Sequence, residues 1–211
     1  MIKEQILGVI VLISTVIAPL TQGVRPLLSP APEIQEEVLA EHFMDLNTRA
    51  AGEYVNDVFK FNILLAVEKF GHSFTLEPGE GFAFHENMAP EFADLAMKTG
   101  FTRYTAKEGY QTVLGLPGNG VCHLATLMNW VASDVGLEVT ARVNHNFAPV
   151  PEIPREYGTS IRYMADGSRN TQNQNLYIIN NFDFPVEFVF ETAEDEISLK
   201  ILKEGDNEYG D

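Results

Sequence analysis

The segment from Gly115 to Phe147 changes its periodicity twice without a break, and this limits the fold more than any other feature of the chain. Gly115, Pro117, Gly118 and Gly120 make a loop that cannot be regular, because proline lacks a donor and the glycines admit conformations closed to other residues. From Cys122 onward, Leu124, Leu127, Met128, Val131 and Val135 recur at helical spacing up to Gly136. Strict alternation then begins. Leu137, Val139, Ala141, Val143, His145 and Phe147 face one way, and Glu138, Thr140, Arg142, Asn144 and Asn146 the other, which is the pattern of a half-buried strand.

Elementary lengths connect the two halves. A helix over His123–Val135 carries the chain ~20 Å away at about 1.5 Å per residue, and a strand over Leu137–His145 returns ~27 Å at about 3.3 Å per residue. Antiparallel packing therefore brings His145 level with Cys122. A thiol in the first turn of a helix meets unpaired backbone N–H groups and the positive dipole end, which lower its pKa. This is the layout of papain-like and transglutaminase-like sites, with Cys122 as nucleophile and His145 as base. Plainer readings stand beside it: Cys122 as a small buried apolar residue, and His145 as a hydrogen-bonded core residue. Cys122, His123 and His145 offer no paired ligand spacing that would fix a metal, and no cofactor motif is present. His42, His72 and His85 are isolated and read as surface or structural.

Upstream, Ile6 to Leu20 form a nearly uninterrupted apolar run after Lys3. Its length suits a signal-peptide core better than a membrane span, which needs ~20 residues. Residues 1–23 are thus expected to be a signal peptide or an N-terminal anchor, and 24–32, with Pro26, Pro30 and Pro32, a spacer. Ile34, Val38, Leu39, Phe43 and Leu46 predict a helix over Glu33–Arg49, and a second is predicted over Tyr54–Phe70 with Gly71 as its C-cap. His72–Leu76 and Gly81–Phe84 read as strands joined by a type II turn at Glu77-Pro78-Gly79-Glu80. Pro90 opens a short helix that Gly100 closes. One domain spans 33–202, and 203–211 is an acidic tail. The whole chain carries 30 acidic and 14 basic residues, a net charge of −16. That charge repels phosphate backbones and excludes nucleic acid as a natural partner.

Four separated motifs, in order, resemble the VanW-like family of bacterial envelope proteins. Gly118-Asn119-Gly120-Val121-Cys122-His123-Leu124 is similar to that family's Gly-Gly-Gly-Val-Cys-Gln pattern, with Asn119 in place of a Gly and His123 in place of the Gln. Leu76-Glu77-Pro78-Gly79-Glu80-Gly81-Phe82-Ala83-Phe84-His85-Glu86 resembles its Pro-Gly-Glu-x-Phe-Ser-Phe-Asn segment, and Asn62 corresponds to an Asn in the helix before it. Asn144-His145-Asn146-Phe147 resembles its Arg-x-x-His-Ser-Tyr strand, and Leu176–Asn181 its closing strand and Asn-Asn turn. Many members carry Gly-x-Asp-Ala after the His, whereas this chain has Tyr157-Gly158-Thr159-Ser160 and no acid. Candidate orienters for His145 are therefore Thr159, Asn180 and Asn181, with Asp166 a lesser one. Gly118, Asn119, Gly120 and His123 are the expected ligand-binding positions.

The expected fold is α+β: N-terminal helices and a mainly antiparallel sheet packed on a helix that starts at Cys122. The resemblance implies an extracytoplasmic location in the cell envelope, secreted or anchored through residues 6–20. Two functions fit. One is an accessory protein that binds cell-wall peptide or another envelope component. The other is a Cys–His hydrolase or acyl transferase acting on peptidoglycan amide bonds.

Overall fold

The computed structural model of the protein describes residues 37–100, 102–113 and 115–204. The leader or anchor over 1–23, the spacer over 24–32 and nearly all of the tail over 203–211 lie outside those residues. Among the described residues no helix is long and apolar enough to cross a membrane.

The first described element, β1 (Glu37–Asp45), is a strand where the sequence predicts a helix over Glu33–Arg49. Val38 and Phe43, which set the apparent helical spacing, are exposed. The covered face is built from His42 and Met44 at strand spacing. His42 hides that period because it reads as polar, yet its ring stacks on Trp130 at 3.6 Å. Pairing along a distant strand decides the outcome over local preference.

Helix α1 (Glu53–Phe70) ends as expected on Gly71, which is left-handed at φ 87°. Strands β2 (Ser73–Leu76) and β3 (Gly81–Ala83) flank the predicted turn. There Gly79 has φ 77° and the Glu80 N–H donates to the Glu77 carbonyl at 2.8 Å. Pro90 opens only a single 3₁₀ turn, Pro90–Phe92, not a helix reaching Gly100. Phe92 instead stacks on Tyr177 at 4.0 Å, and Met97–Thr99 becomes β4, parallel to β3. A two-rung hairpin, β5 (Thr112–Val113) and β6 (Leu116–Pro117), leads into α2 (Val121–Val135), which stops at left-handed Gly136.

Strand β7 covers only Glu138–Ala141, shorter than the Leu137–Phe147 alternation predicts. Its partner β8 (Leu176–Ile179) is four residues long, so the ladder ends where Ala141 meets Leu176. Between them lie a 3₁₀ turn, Arg155–Tyr157, and a short helix, α3 (Arg169–Asn173). The closing hairpin, β9 (Val186–Ala193) with β10 (Glu196–Lys203), was not anticipated from the sequence.

The strands form two four-stranded sheets, ordered β1-β10-β9-β2 and β4-β3-β8-β7, and the β3–β4 pair is the parallel one in them. Helix α2 packs against β1 and β10 of one sheet, β7 and β8 of the other, and α1. Ten of its residues are buried, as an apolar-all-round helix requires. Aromatic rings bridge the sheets: Phe74 stacks on Phe188 and on Phe82, each at 4.7 Å.

The start of α2 is fixed from outside. Gly120, its N-cap, sits at φ 103°, where a Cβ would fall 2.7 Å from the Phe59 carbonyl oxygen, so only glycine fits against α1. Fully buried Asn62 on α1 donates to the carbonyls of Gln111 (3.0 Å) and Asn119 (2.9 Å) and accepts from the Gln111 N–H (2.8 Å). Asn62→Leu keeps the volume but orphans buried backbone groups, so it is expected to lower unfolding free energy by about 3 kcal/mol in urea titrations. A loss below about 1 kcal/mol would show that the loop holds itself.

Candidate functional site

A cavity of about 680 Å3 opens at the N-terminal end of α2, within the range of about 300–1,000 Å3 usual for small-molecule sites. Cys122, His123 and His145 all line it, as do Gly118, Asn119 and Gly120. The strand expected to carry His145 stops early, yet the chain still returns it to the level of Cys122. The excursion after Ala141 is held by the Ser160 N–H, which donates to the Val143 carbonyl at 2.9 Å, and by Asn144, which donates to the Arg155 carbonyl at 2.9 Å.

Cys122 is half-buried in the first turn of α2. Its sulfur is engaged by one residue on the covering segment. The Ile161 N–H donates to Sγ at 3.3 Å, and the thiol donates to the Ile161 carbonyl at 3.6 Å. Burial pushes the thiol up to about 11, which corrects the lowered value expected from the helix start. Two donors of that first turn are already engaged. Val121 N–H bonds the Gly118 carbonyl at 3.2 Å and His123 N–H the Gly120 carbonyl at 2.8 Å.

His145, 7% exposed, donates through Nδ1 to the Ala148 carbonyl at 2.9 Å, which leaves Nε2 as the ring's acceptor. Burial lowers its pKa, so the ring is neutral at pH 7. Its orienter is thus a backbone carbonyl three residues on, and not the candidates the sequence offered. Thr159 is buried beside α2, where it bonds Thr126, Asn129 and the Tyr157 carbonyl. Asn180 holds the carbonyls of Leu76 and Phe184. Asn181 bonds Glu138 and Gly136 at the opposite end of α2, and Asp166 caps Ser168 on the exposed turn before α3.

His123, 4% exposed, lies edge-on to Phe59 at 5.4 Å and to His145 at 5.7 Å. Its Nδ1 is buried without a partner. Burial, and then the charge of Arg49, push its pKa down to about 3. Phe147, 80% exposed, continues this row of rings to the surface, 4.0 Å from His145.

Sequence reasoning missed Arg49. Its side chain has no solvent exposure, and Nη2 bonds both oxygens of Glu152 at 2.9 Å and Thr48 at 3.0 Å. Asn56 of α1 accepts its backbone N–H at 2.7 Å. A lone arginine in a polar loop carries no periodic signal. Arg103 and Arg162 also line the cavity, and no aspartate or glutamate is among the described residues that do. Among the described residues no group of three or more His, Cys, Asp or Glu could hold a metal ion.

Compared with known proteins, residues 60–202 match the family model described as VanW like protein, well over half of the chain. No curated protein and no solved structure matches.

Two expectations follow from the burial. Iodoacetamide should alkylate Cys122 in the folded protein ever faster past pH 10, and a rate that levels off near pH 8 contradicts the buried thiol. For His123 the sign runs the other way. An unfolded imidazole titrates near ~6.5, while this one stays neutral to about 3. Between those values the unfolded chain binds a proton that the native one does not, so stability is lost as the pH is lowered through that window. The urea midpoint should drop more between pH 7 and pH 4 in the wild type than in His123→Gln, and equal drops would rule the mechanism out.

Proposed function

Because the chain belongs to the VanW-like family, we propose that it is an exported or membrane-anchored accessory protein of the cell envelope, whose cavity holds cell-wall peptide or another envelope component. The apolar run Ile6–Leu20 supports delivery to or across a membrane. The observation that carries the binding role is the cavity at the start of α2, with apolar walls and cationic side chains around a sulfur that is already engaged by Ile161.

A second reading has its own observation. Cys122 and His145 line the same cavity, and the imidazole presents an acceptor nitrogen. That supports a papain- or transglutaminase-like hydrolase or acyl transferase acting on cell-wall peptide amides. Against it stands the thiol itself. With a pKa pushed up to about 11, almost none is thiolate at pH 7, and two of the first-turn donors, the Val121 and His123 N–H groups, serve the loop.

The two readings separate cleanly. The purified protein is incubated with muropeptides, wild type beside Cys122→Ala, and the products are read by mass spectrometry. The binding reading expects unchanged muropeptide masses with both proteins and full complementation of a deletion strain by Cys122→Ala. New masses that appear with the wild type alone would reject it in favour of the enzyme.

A further inference from the structure

His123 and His145 both line the cavity, and the local structure fixes how each holds its proton. The Nδ1–H of His145 donates to the Ala148 carbonyl at 2.9 Å, so its Nε2 carries a lone pair. His123 Nδ1 is enclosed and has no partner. A buried N–H without an acceptor is rarer in proteins than a buried lone pair without a donor, which puts the proton of His123 on Nε2. Among the described residues, Nε2 of neither ring makes a hydrogen bond, and neither is one of the enclosed polar atoms that lack a partner. Both Nε2 atoms are therefore reached from the cavity. It shows one donor and one acceptor, on rings 5.7 Å apart. Neither ring is charged at pH 7, because burial brings His123 down to about 3 and lowers His145 as well.

A neutral donor beside a neutral acceptor suits groups that accept and donate at once, such as the hydroxyls of a sugar or the amides of a peptide. The backbone around the pair decides between them. A peptide held as an extended strand needs free N–H and C=O groups along a receiving edge. The segment that covers Cys122 has already used them. Ser160 N–H bonds the Val143 carbonyl at 2.9 Å, and Arg162 N–H the Gln174 carbonyl at 3.0 Å. Both backbone groups of Ile161 are engaged by the Cys122 sulfur. A saccharide needs no such edge. It takes side-chain hydrogen bonds at its hydroxyls and a flat aromatic ring against its C–H face. Phe147 offers that ring, 80% exposed and 4.0 Å from His145, while Phe59 flanks His123 at 5.4 Å. Charge agrees. The described lining residues include no carboxylate, and Arg49 and Arg103 are already paired with Glu152 and Glu86.

We propose that His123 and His145 hold neighbouring hydroxyls of an uncharged sugar residue whose ring lies against Phe147. His123 donates through Nε2–H to one oxygen, and His145 accepts at Nε2 from the next. This rests on the cavity being a binding site for envelope material. It names the glycan portion, and not the peptide portion, as the part that enters.

The full chain is titrated calorimetrically with three probes: the tetramer of N-acetylglucosamine, N-acetyl-tetraalanine amide, and intact muropeptides. The sugar tetramer is expected to bind at least about tenfold tighter than the peptide. His123→Leu and His145→Phe should each weaken the tetramer by about fivefold, as the loss of one neutral hydrogen bond predicts, with melting curves confirming the fold. In the wild type, the Nε2 resonances of both histidines should shift with the tetramer, a readout that needs no variant. Peptide binding as tight as the tetramer's, or muropeptide binding without it, would overturn the sugar subsite while leaving the cavity a binding site. Tetramer binding with both Nε2 resonances unmoved would overturn it too, because the sugar would then sit elsewhere. Binding of none of the three would remove the cavity's binding role along with the subsite.

Discussion

The grip of Asn62 on the glycine loop is the interaction on which the rest of the structure depends. Helix α2 touches both sheets and α1, so an error of a few ångströms at its start would move every contact it makes. The loop ahead of it is tied by single backbone bonds, Gly118 N–H to the Gln111 carbonyl and Val121 N–H to the Gly118 carbonyl. One amide side chain on α1 sets it by standing in for a strand partner on both sides of the loop. Asn56, six residues earlier on α1, does the same for the segment that carries Arg49. Elsewhere Asn175 brackets the backbone of His85 and Asn180 ties Leu76 to Phe184. Irregular backbone can be buried here because asparagines supply the missing donors and acceptors.

That solution shapes the chemistry at the cavity. A helix dipole alone is worth about 0.3–1 kcal/mol to a charge in its first turn, less than one pKa unit. Desolvation can shift a buried group by several units. The Ile161 segment lies across the sulfur, so desolvation wins and Cys122 is held as a thiol. Burial also leaves Nε and Nη1 of Arg49 and Nδ1 of His123 without partners.

Much of the site could be read from the sequence, because its parts are local. The switch from glycine loop to helix, expected at Cys122 and found one residue earlier at Val121, the helix ends at Gly71 and Gly136, and the turn at Pro78-Gly79 each rest on a few neighbouring residues. The family likeness needed no geometry at all. What escaped depended on distant partners. Nothing local in Glu37–Asp45 says that β10 will lie beside it, and nothing near Ala141 says that β8 will run out after four residues. Thr159, Asn180 and Asn181 looked like orienters of His145 for the same reason: a polar residue near a strand advertises a hydrogen bond without saying to whom. Arg49 had no signal beyond being a cation in an acidic chain.

The sheet that holds β1 ends in two strands whose outer edges meet no other described strand. Such edges invite other chains to add on as extra strands. On β2 the exposed ladder is only four residues long. On β1 the register slips between Val38 and Ala40, and Glu37, Glu41 and Asp45 run along the strand. A bulge spoils the flat template, and like charges on two approaching copies repel before their backbones can zip together. The acidity that looks like a simple aid to solubility therefore also guards the molecule against fibril-like stacking at its weakest border.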